Sequence, residues 1–221
     1  NTVCVTQQGR TLLFNPGSSS NIRWRLKAFL MSRAVRSIDA LFLTSDYKRN
    51  WSGITDLLRN FRVKKIYVSP DLAPDLRKSL SSPVIALDPD TVCRFGSLTV
   101  RADPQTGTEL LLRNNAVAFS ITYKGFRLLL APDGLDPERP PDSTCPDLFL
   151  MPNRRHSYAA ARAYAGPQTE VIVNTANRQF HTQIAHELRE ITPQPRNPAL
   201  ERCLSYSVTR SGDWSCTEFD N

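Results

Sequence analysis

Apolar and polar residues alternate from Thr2 to Thr6, Gln8-Gly9 interrupts them, and a second β-rich run follows from Thr11 to Asn15, which is the pattern of a hairpin. Pro16-Gly17 and the serines after it read as a loop whose last serine caps a helix from Asn21 to about Ala34, with Ile22, Leu26, Phe29 and Leu30 on one face. Ile38 to Thr44 is an almost unbroken apolar run, as expected of a strand buried on both faces. A polar loop, Ser45 to Trp51, leads to a predicted helix at Ser52 to Phe61, a strand at Lys65 to Ser69 and a helix at Asp71 to Leu80. This alternation is the α/β signature.

After Pro83 the texture becomes that of strands joined by short turns: Val84 to Leu87, Ser97 to Asp103, Ala116 to Tyr123 and, beyond a Lys124-Gly125 turn, Phe126 to Ala131. The second half is therefore expected to begin with antiparallel sheet. It returns to α/β with a strand at Leu148 to Met151, a helix from Tyr158 to Ala165, a strand at Val171 to Asn174 and a helix from about His181 to Glu190. A linker, Pro193 to Pro198, precedes a closing hairpin. Two α/β stretches around antiparallel strands suggest two sheets face to face with helices outside.

The 221 residues suffice to bury a sizeable core, and no apolar run approaches the roughly 18 to 20 residues of a membrane-spanning helix. The start shows no basic stretch leading into an apolar one, and it lacks an initiator methionine; the expectation is a domain cut from a longer protein. A formal charge of +7, with clusters at Arg23 to Lys27, Lys48-Arg49, Lys64-Lys65 and Arg154-Arg155, favours polyanionic partners. The five cysteines form no C-x-x-C pair, which argues against a zinc ribbon or thioredoxin-like motif. Cys203 and Cys216 flank the Ser211-Gly212-Asp213 turn; they either join across that hairpin in an oxidising compartment or stay as buried thiols.

Six segments, taken in order, resemble one family. Ile38-Asp39-Ala40-Leu41-Phe42-Leu43-Thr44, a seven-residue polar loop and then Ser52-Gly53-Ile54-Thr55-Asp56-Leu57-Leu58 are similar to the metal motif of the metallo-β-lactamase superfamily, nearest to the ComEC branch of DNA-uptake channels. Thr11 to Gly17, Phe95-Gly96 to Pro104, Asn114-Asn115 to Asp133, Leu148 to His156 and Val171 to His181 match the remaining family segments in sequence order. The resemblance covers nearly the whole chain and lacks only the family's first strand. It implies an αββα four-layer sandwich of two mixed sheets with helices outside, one domain over residues 1–221 with a tail hairpin within 193–221. It also implies a parent protein in the cell membrane, this domain lying on the outer face beside the transmembrane channel region of the same polypeptide.

Metal-assisted hydrolysis needs imidazoles and carboxylates clustered at strand ends around one or two divalent ions, zinc or manganese in this family. Carried over position by position, the resemblance puts Asn15, Ser45, Tyr47, Arg49, Asn50, Asn153 and Arg154 where ligands belong, and Asp103 in place of a histidine. Only Asp133 keeps a ligand type, and His181 keeps the late histidine beside the substrate. Arg49 would bring a fixed positive charge to the place of a dication. No bound metal and no catalysis are expected, an alternative set of Asp46, Asp103, Asp133 and His156 being weaker; His156 and His186 read as ordinary polar positions. Lys48, Arg49, Arg154, Arg155 and His181 could instead hold DNA phosphates while Tyr47, Trp51 or Tyr158 stack on a base. Against this stand an active phosphodiesterase degrading the strand that is not imported, and a purely structural module in which the arginines pair with acids such as Asp46.

Overall fold

The structure, a computed structural model, describes residues 2–88, 91–104, 116–132, 135, 145–152, 157–174, 188–189, 196 and 203–219. The chain divides into two units, Asn1–Thr91 with Arg113–Val117, and Val92–Leu112 with Ala118–Asn221.

In the first unit, β1 (Val3–Gln7) and β2 (Arg10–Phe14) form the expected hairpin; Gln8 and Gly9 both take positive φ, 49° and 76°, as a tight two-residue turn requires. A separate parallel ladder pairs β3 (Ser37–Ile38) with β5 (Arg62–Val63). From β2 the main sheet continues through three parallel strands, β4 (Ala40–Phe42), β6 (Ile66–Val68) and β7 (Val84–Ala86). Helices cross between them: α1 (Ser19–Asn21) running through a π-helical turn, Ile22–Leu26, into α2 (Lys27–Ser32), then α3 (Lys48–Trp51), α4 (Ile54–Asn60) and α5 (Ala73–Ser79). Side chains alternate along each strand. Leu13, Leu41, Ile66 and Val84 pack with Ile22, Leu26, Leu30, Leu57 and Leu76 of the helices. On the other face Phe14, Phe42 and Tyr67, in register, stack as a ladder with 4.8 Å between successive ring centres.

Four expectations need correction here. The run from Ile38 to Thr44 is not one strand: it breaks at Asp39, and β3 and β4 belong to different ladders. The Asp39 carboxylate accepts the Thr11 N–H at 2.8 Å and the Lys64 ammonium at 2.6 Å, so a side chain stands where a strand would offer a carbonyl. The helix cap is Ser18, whose hydroxyl accepts from the Asn21 N–H at 3.3 Å, and not the last serine. The loop from Ser45 to Trp51 contains the short helix α3. Finally, Val84–Ala86 does not open an antiparallel sheet: α5 returns the chain so that β7 lies parallel to β6, completing a βαβ unit.

Partial burial works to raise the Asp39 carboxyl pKa, but the Lys64 hydrogen bond, the Thr11 N–H and the charges of Lys64 and Arg10 outweigh it and hold the group below its usual range. A depressed carboxylate stabilises the fold above its unfolded pKa and loses that contribution as pH falls through the folded value. Asp39→Asn keeps an acceptor for Thr11 but removes the charge. Because Lys64 is half exposed, the loss at pH 7 is expected to stay below about 1 kcal/mol. The variant should also lose less stability than the parent between about pH 5 and pH 2. Urea midpoints against pH check this, and parallel profiles for the two proteins would contradict it.

The second unit holds a six-stranded sheet in the order β13-β12-β11-β10-β9-β8, formed by β8 (Val92–Phe95), β9 (Leu98–Pro104), β10 (Val117–Tyr123), β11 (Phe126–Leu130), β12 (Leu148–Pro152) and β13 (Glu170–Asn174). The turn at Lys124-Gly125 is as expected, with φ of 50° and 91°. Strands β11 to β13 run parallel, and the helix α6 (Ser157–Tyr164) contributes Ala161 and Tyr164 to a core with Leu129, Phe149, Met151, Val171 and Val173. The helix expected from His181 to Glu190 lies outside the described residues except at 188–189, where Leu188 is buried.

The tail forms the hairpin β14 (Cys203–Val208) and β15 (Trp214–Phe219). Trp214 sets its edge against Phe126, and the Tyr206 hydroxyl donates to Glu170 at 2.6 Å, the carboxylate that also pairs with Arg196 at 2.6 Å. Burial first, then the Glu170 carboxylate, pushes the Tyr206 phenol far above its ordinary range. The register removes the disulfide alternative: Cys203 faces Phe219 and Cys216 faces Tyr206, so the two cysteines are three pairs out of step. That offset is about 10 Å along the strands, beyond the reach of a disulfide. Cys216 is half-buried and forms no disulfide.

Candidate functional site

Parallel strands gather functional groups at their carboxyl ends, and in the first unit the ends of β2 and β4 carry Asn15, Thr44 and Ser45, all buried. Asn15 takes a left-handed φ of 52°, a conformation asparagine tolerates better than most residues. That turn aims its amide back at β4. Its Oδ1 accepts the Thr44 N–H at 2.9 Å, its Nδ2 donates to the Thr44 hydroxyl at 2.9 Å, and its own N–H donates to the Phe42 carbonyl at 2.9 Å.

The next loop continues the network. Asn50 donates from Nδ2 to the Ser45 hydroxyl at 2.9 Å and from its N–H to the Tyr47 carbonyl at 2.8 Å, which curls the chain into α3. Trp51 ties the same turn down by donating its indole N–H to the Asp46 carbonyl at 2.9 Å. Two backbone bonds fasten this loop to the one after β2: Gly17 N–H to the Asn50 carbonyl and Gly53 N–H to the Gly17 carbonyl, each 2.9 Å. The loops meet so closely that a Cβ on Gly53 would sit 2.7 Å from the Ser18 carbonyl carbon. Thr44 in turn offers its carbonyl to the Val117 N–H at 2.7 Å.

Of the residues singled out from sequence, the structure thus joins Asn15, Ser45, Tyr47 and Asn50 in one network. Lys48 and Tyr47 are exposed beside it, and Arg49 is the second residue of α3, its side chain lying outside the described atoms. Asp103 is half-buried in β9 of the second unit. Asp133, Asn153, Arg154, Arg155, His156, His181 and His186 lie outside the described residues, as does the side chain of Tyr158. Thr44, Gly17 and Gly53 were not anticipated as parts of the site. The glycine in the Ser52-Gly53 pair was the available signal, since a residue without a Cβ directly after a polar loop marks a close approach of backbone.

The donor chemistry decides what this network can hold. Zinc takes imidazoles, thiolates and carboxylates, and manganese takes carboxylates above all. Asn15, Ser45 and Asn50 offer neutral amides and hydroxyls already engaged with Thr44 and with one another. With no imidazole, thiolate or carboxylate among them, these residues do not fit zinc, and none of them is a base able to activate water.

No protein-family model and no curated protein sequence matches the chain. Solved structures do. The metallo-β-lactamase fold protein YhfI from Bacillus subtilis is 16% identical, with a TM-score of 0.67 over 97% of this chain and 91% of that one. Igni18, a metallo hydrolase from the hyperthermophilic archaeon Ignicoccus hospitalis, is 14% identical, with a TM-score of 0.61 over 99% and 95%. The chain spans about half, 51%, of a Cronobacter sakazakii metallo-β-lactamase with an HARLDQ motif, at 15% identity and a TM-score of 0.48 over 59% of this chain. At such identities the likeness is one of fold.

Proposed function

We propose that this chain, which has the metallo-β-lactamase fold, is a non-hydrolytic domain of a membrane DNA-uptake channel that holds the entering strand without a resident metal. The observation that carries the reading is that, at the strand ends, the Asn15 amide is bonded to Thr44 and the Asn50 amide to the Ser45 hydroxyl. Where a hydrolase of this fold would need imidazole and carboxylate ligands, these amides and hydroxyls bond to each other. The ordered resemblance to ComEC-type domains supports the setting beside a channel, on the outer face of the cell membrane. The net charge of +7 supports a polyanionic partner, with Lys48, Arg49, Arg154, Arg155 and His181 as the phosphate-holding residues.

Elemental analysis of the purified chain, beside a nuclease assay with added manganese or zinc, tests the catalytic half of the reading. The expected result is no stoichiometric metal and no cleavage. Chelator-sensitive cleavage would establish the active phosphodiesterase instead. For the binding half, Arg49→Ala and Arg154→Ala are each expected to weaken retention of single-stranded DNA with little sequence preference. Each should flatten the log–log slope of affinity against salt by about one unit. Retention that neither variant alters would remove the proposed role of these arginines, and no salt-dependent retention at all would leave a structural module.

A further inference from the structure

The helical segment between β2 and β3 presents an outward face that neither the site nor the core uses. Ile22, Leu26 and Leu30 fill the core, spaced four apart, and on the opposite side Trp24 is 74% exposed and Met31 62% exposed, with exposed Ala28 between them. Trp24, Ala28 and Met31 are spaced four and three apart, so they form one apolar stripe along the outside of the helix. Cations flank it. Arg23 and Lys27 fall on one side of the stripe and Arg25 on the other by helical spacing, and Arg33, whose guanidinium lies 5.7 Å from the Phe29 ring centre, and Arg36 follow at the end. No aspartate or glutamate occurs anywhere before Asp39.

We infer that this face docks on the surface of an anionic phospholipid bilayer. A tryptophan and a methionine at the crest of a helix, with arginines and a lysine to either side, match an element lying in the membrane interface: the apolar crest enters the headgroup boundary while the cations reach lipid phosphates. The absence of any acidic residue through this stretch supplies the charge complementarity. A nucleic-acid strand would engage Trp24 and the cations but would leave Met31 and Ala28 nothing to bury against. The inference stands on this face alone and does not depend on whether the strand-end network holds DNA.

The test uses the whole chain with vesicles of phosphatidylcholine alone and of phosphatidylcholine with about one third phosphatidylglycerol, at about 0.1 M salt, read by co-sedimentation and tryptophan emission. Binding to the anionic vesicles only, with a blue shift in emission, is the expected result. Arg23→Gln and Arg25→Gln should each lower the partition coefficient about fivefold. Trp24→Gln, at a position outside the core, should lower it about tenfold or more and abolish the blue shift while leaving circular dichroism and the urea midpoint unchanged. Three results would overturn the inference: no partition into anionic vesicles, a partition that Trp24→Gln leaves intact, or an emission shift produced by an oligonucleotide and not by vesicles. Self-association that Trp24→Gln abolishes, without any vesicle binding, would assign the face to a second copy of the chain.

Discussion

Gly53→Ala is expected to destabilise the first unit by about 3 kcal/mol, seen as a lower urea midpoint at an unchanged denaturant slope. Local propensity argues for the opposite sign. Gly53 has φ of −84°, where alanine is at ease, and a glycine-to-alanine change at such a position ordinarily stabilises by about 0.4 to 1 kcal/mol through the unfolded chain. Tertiary contact reverses this. The added Cβ would lie 2.7 Å from the Ser18 carbonyl carbon, 2.8 Å from its oxygen and 2.8 Å from Cγ1 of Ile22. Two of these three atoms are backbone and cannot rotate away. The loops after β2 and β4 would have to part, straining the bonds from Gly53 to Gly17 and from Gly17 to Asn50 that hold the strand-end network shut. Gly125→Ala is the control: its φ is +91° and nothing lies within 4 Å of the added Cβ, so only the conformational cost of about 1 kcal/mol is expected. A neutral or stabilising Gly53→Ala would show that the two loops do not approach as described.

The same contrast between local and distant causes separates what was legible in the sequence from what was not. The turns at Gln8-Gly9 and Lys124-Gly125 were legible because positive φ within a two-residue loop is a local demand that shows in residue type. The strand and helix order in the first unit was legible because each element carries its own period. Asp39 was not, since an apolar run reads as one strand until Thr11 and Lys64 arrive from elsewhere to claim the carboxylate. Nor was the sheet to which Val84–Ala86 belongs, because parallel pairing with Ile66–Val68 depends on how α5 crosses and leaves no mark in three residues. The four residues of α3 are too few to show a period. In the tail the hairpin was legible but its register was not: the Thr209–Asp213 turn sets the pairing, and it puts Tyr206, not Cys203, opposite Cys216. At the site, the ordered segments singled out Asn15, Ser45 and Asn50. They did not reveal that Thr44 is the group Asn15 holds, because from sequence Thr44 is simply the last residue of a strand.

That bond makes Asn15 the position where the proposed loss of metal chemistry is most directly testable. Asn15→Ala is expected to cost about 3 kcal/mol, by adding two terms. The Thr44 N–H, buried at the end of β4, loses its acceptor at about 1 to 3 kcal/mol, and alanine must adopt the left-handed φ of 52° at about 1 kcal/mol more. Asn15→Gly removes the same hydrogen bonds but takes that φ freely, so it should be less damaging than alanine by about 1 kcal/mol in spite of its more flexible unfolded chain. Asn15→Asp is the informative third variant. One carboxylate oxygen still accepts from Thr44 N–H, and the Thr44 hydroxyl can turn to donate to the other, so the fold should survive with a buried negative charge added. If the neighbouring amides and hydroxyls have taken over the site, zinc or manganese added to Asn15→Asp will not raise its melting temperature. A metal-dependent rise would mean that a single anionic ligand completes a coordination sphere still present around it, and the reading of a closed, non-hydrolytic site would fail.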